Sequence, residues 1–133
     1  MSKKTDELMT GLLGNRWKAT HAPAAGVTLV LASPTPQNAL ERVNLETLWY
    51  SIRNNNAGVN FTVTLSLRNA SAAGTVFASV DHLVAASTSA NAAITNMQLA
   101  GEDGKAIAVT MDTVLASVTA TVNIFGWTDS KNG

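Results

Sequence analysis

The chain has 133 residues, of which 46% are hydrophobic, 5% aromatic and 14% charged, and it contains no cysteine. Nine basic residues balance nine acidic ones, so no positive field attracts nucleic acid or an anionic membrane surface. Disulfides and thiolate metal sites are excluded, and no apolar stretch reaches the roughly 18 residues of a membrane-spanning helix. The length fits one domain that can form a core without covalent cross-links.

Residues 1–25 predict an N-terminal arm that carries a short helix. Thr5 is the expected N-cap and Gly14 the C-terminal stop. A helix of about nine residues is too short to be stable alone in water, so its apolar side chains need a surface. They either cover the end of their own domain or bind another protein, and the extended composition of residues 19–26 favours an external partner. The candidate interface residues of the arm are Leu8, Met9, Leu12, Leu13 and Trp17.

Strands are predicted from residue 26 onward. Residues 27–32 form the first, and Pro34 lies in the loop that ends it. The next strand covers residues 43–52, but its apolar alternation changes phase at Glu46 and Thr47. Such a change indicates a β-bulge, in which one strand carries an extra residue, and a strand that is buried on both faces also fits.

Two hairpins are predicted in the middle of the chain. Residues 59–67 alternate apolar and polar side chains after the Asn- and Gly-rich residues 54–58, which predicts an antiparallel pairing with the preceding strand. The second hairpin joins residues 94–99 to residues 107–111 through a turn at residues 101–104.

Residues 114–127 form the clearest predicted strand. Every second position is apolar over the run Val114, Ala116, Val118, Ala120, Val122 and Ile124. One face of this strand therefore packs on a core while the other faces outward. With a less regular strand at residues 75–84, the pattern predicts an all-β domain over residues 26–133. Seven or eight turn-separated strands and no long helix are typical of an antiparallel β-sandwich, and a jelly roll is one of its forms.

Residues that carry chemistry are scarce. The chain has two histidines, His21 in the tether and His82 beside Asp81, and neighbouring strand residues point to opposite faces. That arrangement makes a poor acid–base pair. Nucleophile-elbow, phosphate-loop and metal-ligand spacings are also missing. We therefore expect a protein that is not an enzyme, with no catalytic residue, no metal site and no cofactor.

Aromatic side chains are the remaining candidates for binding. Flat rings on a β-sandwich can stack on sugars or anchor protein interfaces, and they can equally pack in the core. The candidate contacts are Trp49, Tyr50 and Trp127. Because Trp49 and Tyr50 are adjacent, they cannot both face the core of one flat strand.

A self-associating structural protein fits these observations best. With its arm over residues 1–25, strands from residue 27 and the final segment at residues 114–127, the chain resembles small virion structural proteins of tailed bacteriophages, in particular capsid decoration or cement proteins. The resemblance implies a homotrimer that binds the major capsid protein or another virion protein through its arm and sandwich surfaces. We expect a virion location after synthesis in the host cytoplasm, since the N-terminal sequence shows no secretion signal. Nucleic acid and membranes are not expected partners.

Two other interpretations stay open. The first is a carbohydrate-binding β-sandwich module in which Trp49, Tyr50 or Trp127 stacks on sugar. The second is a different phage virion component, such as a head fibre, a neck or tail protein, or a small coat protein. A secreted fimbrial subunit is disfavoured by the missing export signal.

Overall fold

The structure is a computed structural model that describes residues 16–24, 26–36, 39–111 and 116–130. Nine strands and no helix are present in these residues, which confirms the all-β prediction. The strands are β1 (Arg16–His21), β2 (Val30–Ala32), β3 (Glu41–Asn54), β4 (Phe61–Asn69), β5 (Val76–Val84), β6 (Ser89–Ile94), β7 (Leu99–Ala100), β8 (Ile107–Met111) and β9 (Val118–Ser130). The predicted arm helix lies outside the described residues, as do four candidate interface residues, Leu8, Met9, Leu12 and Leu13.

The strands form two antiparallel sheets packed as a sandwich. Sheet A has the order β1-β9-β3-β6, with β7 also paired to β3, and sheet B has the order β2-β8-β4-β5. The chain crosses between sheets at every connection except β4–β5 and β6–β7. With the two-residue β7 left aside, this is the strand order of a jelly roll, a double-sheet architecture made of two Greek keys. The predicted antiparallel β-sandwich is therefore confirmed.

The centre of sheet A shows why the alternation of the last segment is so regular. Strand β9 lies between β1 and β3, and Val122 and Ile124 on its inner face are fully buried. Val118 and Ala120 share that face at 2% and 5% exposure, as predicted. Burial of a side chain the size of Ile124 contributes about 1.5–3 kcal/mol. Ala116 differs from the prediction, since it is exposed in the turn before β9.

The predicted bulge in the second long strand is present. The β3–β9 register shifts between Leu45 and Thr47, so Glu46 is the extra residue. Leu45 and Leu48 are both fully buried, although an uninterrupted strand would place them on opposite faces. The bulge thus allows both apolar phases of β3 to reach one core.

The first predicted hairpin is wrong. Strand β3 belongs to sheet A and β4 to sheet B, so residues 54–58 form a corner between the sheets. Asn54 is fully buried there, and its Nδ2 donates to the carbonyl oxygens of Val59 at 2.7 Å and Val84 at 3.1 Å. Its Oδ1 accepts from the Asn56 amide at 2.9 Å. Asn and Gly favour a sharp change of direction, but they do not determine whether the two strands pair.

The second predicted hairpin is wrong for the same reason. Leu99–Ala100 pairs with β3 in sheet A, whereas Ile107–Met111 lies in sheet B. The turn between these two strands is hydrogen bonded to the start of β3. The amides of Gly101 and Gly104 donate to the carbonyl oxygens of Val43 and Glu41, both at 2.8 Å.

The N-terminal boundary of the sandwich also differs from the prediction. Arg16–His21 is edge strand β1, paired with β9 over six residues, so part of the expected arm and tether belongs to sheet A. Trp17 and Ala19 pack against the core. Trp17 thus packs on its own domain, because β9 offers an edge on which β1 can pair. The predicted strand at residues 27–32 is shorter than expected and covers only Val30–Ala32.

Candidate functional site

The outer face of sheet A carries three aromatic side chains. In the register, Phe125 lies opposite Lys18 and Thr47, and Trp49 lies opposite Asn123. Trp49, Phe125 and Trp127 alternate with inward-facing neighbours, so all three lie on the outer side; we call them the aromatic row. Trp49 and Phe125 are each 38% exposed, and Trp127 is half-buried.

The spacing of the aromatic row follows from sheet geometry. Phe125 and Trp127 are two residues apart on one strand, which is about 6.8 Å. Trp49 is a diagonal neighbour of Phe125 across the β3–β9 pair, at about 7–8 Å. Two of the candidate contacts, Trp49 and Trp127, thus lie on the outer face of sheet A. Phe125 was missed by the sequence analysis, although the alternation that places Trp127 on the outer face also places Phe125 there.

Tyr50 is not a surface contact, contrary to the prediction. Its side chain is 2% exposed, because Trp49 faces outward and the next residue must face inward. The Tyr50 hydroxyl hydrogen bonds with His82 Nδ1 at 2.9 Å, and the two rings meet edge to face with centroids 5.5 Å apart. Burial raises the pKa of Tyr50.

Two cations of β1, Arg16 and Lys18, lie beside the aromatic row. Arg16 pairs with Glu46 at 3.3 Å, whereas Lys18 has no ion pair within the described part of the chain. The Thr20 hydroxyl donates to Asn123 Oδ1. That bond orients the amide of Asn123, so its Nδ2 is available as a donor beside Trp49.

An open depression of about 320 Å³ lies beside Phe125, lined by Arg16, Trp17, Lys18, Phe125 and Gly126. This volume is at the lower end of the range for small-molecule sites. Gly126 holds β3 and β9 close at the bulge, since a Cβ at this position would lie 1.9 Å from the Asn44 carbonyl oxygen. Asn44 Nδ2, next to Trp127 in the register, is buried and has no hydrogen-bond partner among the described residues.

The groups considered for catalysis do not come together. Asp81 faces outward and accepts from the Thr64 hydroxyl at 2.6 Å, whereas His82 faces the core and contacts Tyr50. The prediction that these neighbours point to opposite faces is confirmed. Over residues 16–24, 26–36, 39–111 and 116–130, no group of three or more His, Cys, Asp or Glu side chains is placed to bind a metal ion. No helix in the same residues has the length and apolarity needed to span a membrane.

In the described residues, four strands stand at the ends of the two sheet orders, and they differ in how well their free edges are protected from pairing with another chain. Strand β1 presents Arg16 and Lys18 on its outer side. Strand β5 contains Asp81 and a register shift opposite Leu67 and Arg68. Strand β2 is only three residues long. Strand β6, by contrast, has no charged residue, no proline and no register shift.

No protein-family model and no curated protein matches this chain. Among solved structures, one of Bacillus endospore appendages, which form a novel family of disulfide-linked pili, is similar at 14% identity with a TM-score of 0.40. That similarity covers 86% of this chain and 88% of the other. A second, from work on CBM4 structure and function, is similar at 12% identity with a TM-score of 0.36, covering 89% of this chain and 96% of the other.

Proposed function

We propose that this protein is a non-catalytic structural protein that self-associates through the edge of β6 and decorates a virion. The feature that most directly supports self-association is the unprotected β6 edge. Strand β6 pairs with β3 over six residues without interruption, and no strand pairs with its other side in the described residues. An edge of this kind presents a row of backbone donors and acceptors to another chain.

The side chains of β6 permit close approach of a second strand. Natural sheet edges are usually protected by lysine, by proline, by bulges or by short strand length. Strand β6 contains no lysine, no proline and no bulge. Its outward side chains, Ser89, Asn91 and Ala93, are small and exposed. A strand of a second copy can therefore reach the ladder spacing of about 4.8 Å. The zero net charge of the chain adds no long-range repulsion.

The virion role rests on the resemblance and on the arm. Residues 1–15 precede β1 directly and contain Leu8, Met9, Leu12 and Leu13, which are the side chains proposed to bind a capsid protein. In an oligomer, several arms act together, and multivalency raises net attachment far above that of one arm. The homotrimer that the resemblance implies requires β6 to contact a different surface of the next copy, so that head-to-tail contacts close into a ring, whereas β6 paired with β6 gives a two-fold dimer.

Self-association is tested by placing a charge on the β6 edge. We expect the wild-type chain to sediment as an oligomer and Asn91→Lys to sediment as a monomer of 13.9 kDa with an unchanged circular dichroism spectrum. Ala72→Lys adds the same charge in the exposed turn between β4 and β5 and should leave the oligomer intact. A monomeric wild-type chain, or an Asn91→Lys chain of wild-type mass, would refute the role of the edge.

Attachment is tested separately by removing residues 1–15, which leaves β1 in place. We expect the truncated chain to keep its oligomeric mass and to lose co-sedimentation with shells of the major capsid protein encoded in the same genome. Truncated protein that sediments with these shells as fully as the complete chain would contradict the role of the arm.

A further inference from the structure

We propose that the aromatic row, together with Lys18 and Asn123, is a binding site for an oligosaccharide that carries a carboxylate group. The self-association proposal uses the edge of β6 and leaves this surface unexplained. Large exposed aromatic side chains that cluster on one face are a recognised sign of a binding surface. The residues around them determine which chemical class of ligand fits.

The rings supply the apolar part of such a site. A pyranose ring has faces made of C–H bonds, which pack on aromatic rings through dispersion and weak C–H interactions. Trp49 and Phe125 are each 38% exposed and lie about 7–8 Å apart as diagonal neighbours. Trp127 extends the row by a further two residues along β9. A row of this length contacts successive units of a linear oligosaccharide, and a single sugar covers only part of it.

The hydrogen-bonding groups lie between the rings. Asn123 is directly opposite Trp49 and two residues before Phe125, so its Nδ2 can donate to a hydroxyl of a sugar stacked on either ring. The bond from Thr20 to Asn123 Oδ1 fixes this amide before ligand arrives, which lowers the entropic cost of binding. The hydroxyls of Thr47 and Ser51 flank Trp49 on the same face of β3.

Lys18 supplies the preference for an acidic ligand. It lies directly opposite Phe125 and lines the depression of about 320 Å³ beside that ring. The other cation of the depression, Arg16, is paired with Glu46, whereas no carboxylate pairs with Lys18 in the described residues. A sugar carboxylate would pair with Lys18 through a charge-assisted hydrogen bond.

The test begins with a glycan array of sialylated, uronic-acid and neutral oligosaccharides, followed by titration of a matched pair, sialyllactose and lactose. We expect acidic glycans to bind, with the acidic member of the pair roughly tenfold tighter, which is about 1.4 kcal/mol. This preference should shrink as salt is added. Absence of binding on the array, or equal affinity for acidic and neutral members, would overturn the proposal.

Matched variants assign the roles of individual side chains. Lys18→Gln should remove the preference for acidic over neutral sugar. Lys105→Gln removes the cation of the ion pair with Glu102, away from the site, and should leave that preference unchanged. Trp49→Ala should abolish binding and Trp49→Phe should retain it. An unaltered preference in Lys18→Gln would contradict the assignment. A change in oligomeric mass in Trp49→Ala without sugar binding would show instead that the row is a protein interface.

Discussion

Substitution of Gly126 by alanine is the sharpest test of the geometry beneath the aromatic row. Gly126 lies between Phe125 and Trp127 at the bulge where β3 and β9 approach each other. A Cβ atom at this position would be 1.9 Å from the Asn44 carbonyl oxygen and 2.8 Å from Trp17 Cζ2. Ordinary contacts begin near 3.4 Å, so both the backbone of β3 and the indole ring must move.

The energetic cost of moving these atoms sets the expected loss in the free energy of unfolding. Overpacking a well-packed core costs about 1–3 kcal/mol, and here the obstructing atom belongs to backbone in the centre of a sheet, so we expect about 3 kcal/mol. With a urea m-value of about 2 kcal/mol/M, the unfolding midpoint should fall by about 1.5 M. The assay is equilibrium urea unfolding followed by tryptophan fluorescence, with circular dichroism as a second probe.

Gly58→Ala is the matched control. The nearest atom to a Cβ at Gly58 is Asn56 Oδ1 at 3.9 Å, and the residue lies in an exposed corner. Its free energy of unfolding should stay within about 0.5 kcal/mol of wild type. If Gly126→Ala is as stable as Gly58→Ala, the close approach of β3 and β9 at the bulge is wrong.

Three further substitutions test buried polar groups by urea unfolding. Asn54→Ala should lower the free energy of unfolding by about 3 kcal/mol, because three hydrogen bonds at the corner disappear. Substitution of the exposed Asn55 by alanine should lower it far less, and equal losses would refute the role of Asn54 in holding the corner. Tyr50→Phe should cost about 1–2 kcal/mol by leaving His82 Nδ1 without its partner. Burial raises the pKa of Tyr50 from 10.0 in the folded state. The stability that protonated Tyr50 contributes is therefore complete below pH 10 and declines as pH rises through the higher pKa of the folded state. A decline of equal size in Tyr50→Phe would contradict this assignment to Tyr50. Asn44→Val should gain about 1 kcal/mol of stability, since it removes a buried donor that has no partner in the described part of the chain, and a loss of stability would show that the donor is satisfied.

Local patterns predicted the strands with regular side-chain alternation, because alternation directly reports burial, but they did not predict β1 or β6. The inward phase of β9 and the bulge at Glu46 both follow from where apolar residues fall in the sequence. Pairing between strands was predicted poorly. Residues 54–58 and 101–104 have good turn composition, yet each joins strands of different sheets, and composition describes only the bend of the backbone.

The aromatic row could be predicted only in part. Trp49 and Trp127 were identified, and Phe125 was available from the same alternation. The relation of the row to Lys18 could not be predicted, because it depends on β1 pairing with β9 across about a hundred residues of sequence. The same long-range pairing turned Trp17 from a candidate arm residue into part of the domain. Nonlocal pairing of this kind depends on how all the strands pack together in the sandwich, and a short window of sequence does not carry that information.

Hydrogen exchange along β6 at increasing protein concentration tests self-association most directly. Amides of Ser89–Ile94 that point away from β3 have no strand partner in the described structure, so they should exchange rapidly in dilute solution and become protected as the protein associates. The corresponding outer amides of β1, whose edge carries Arg16 and Lys18, should not change. Exchange along β6 that stays rapid while the protein becomes oligomeric would contradict the account.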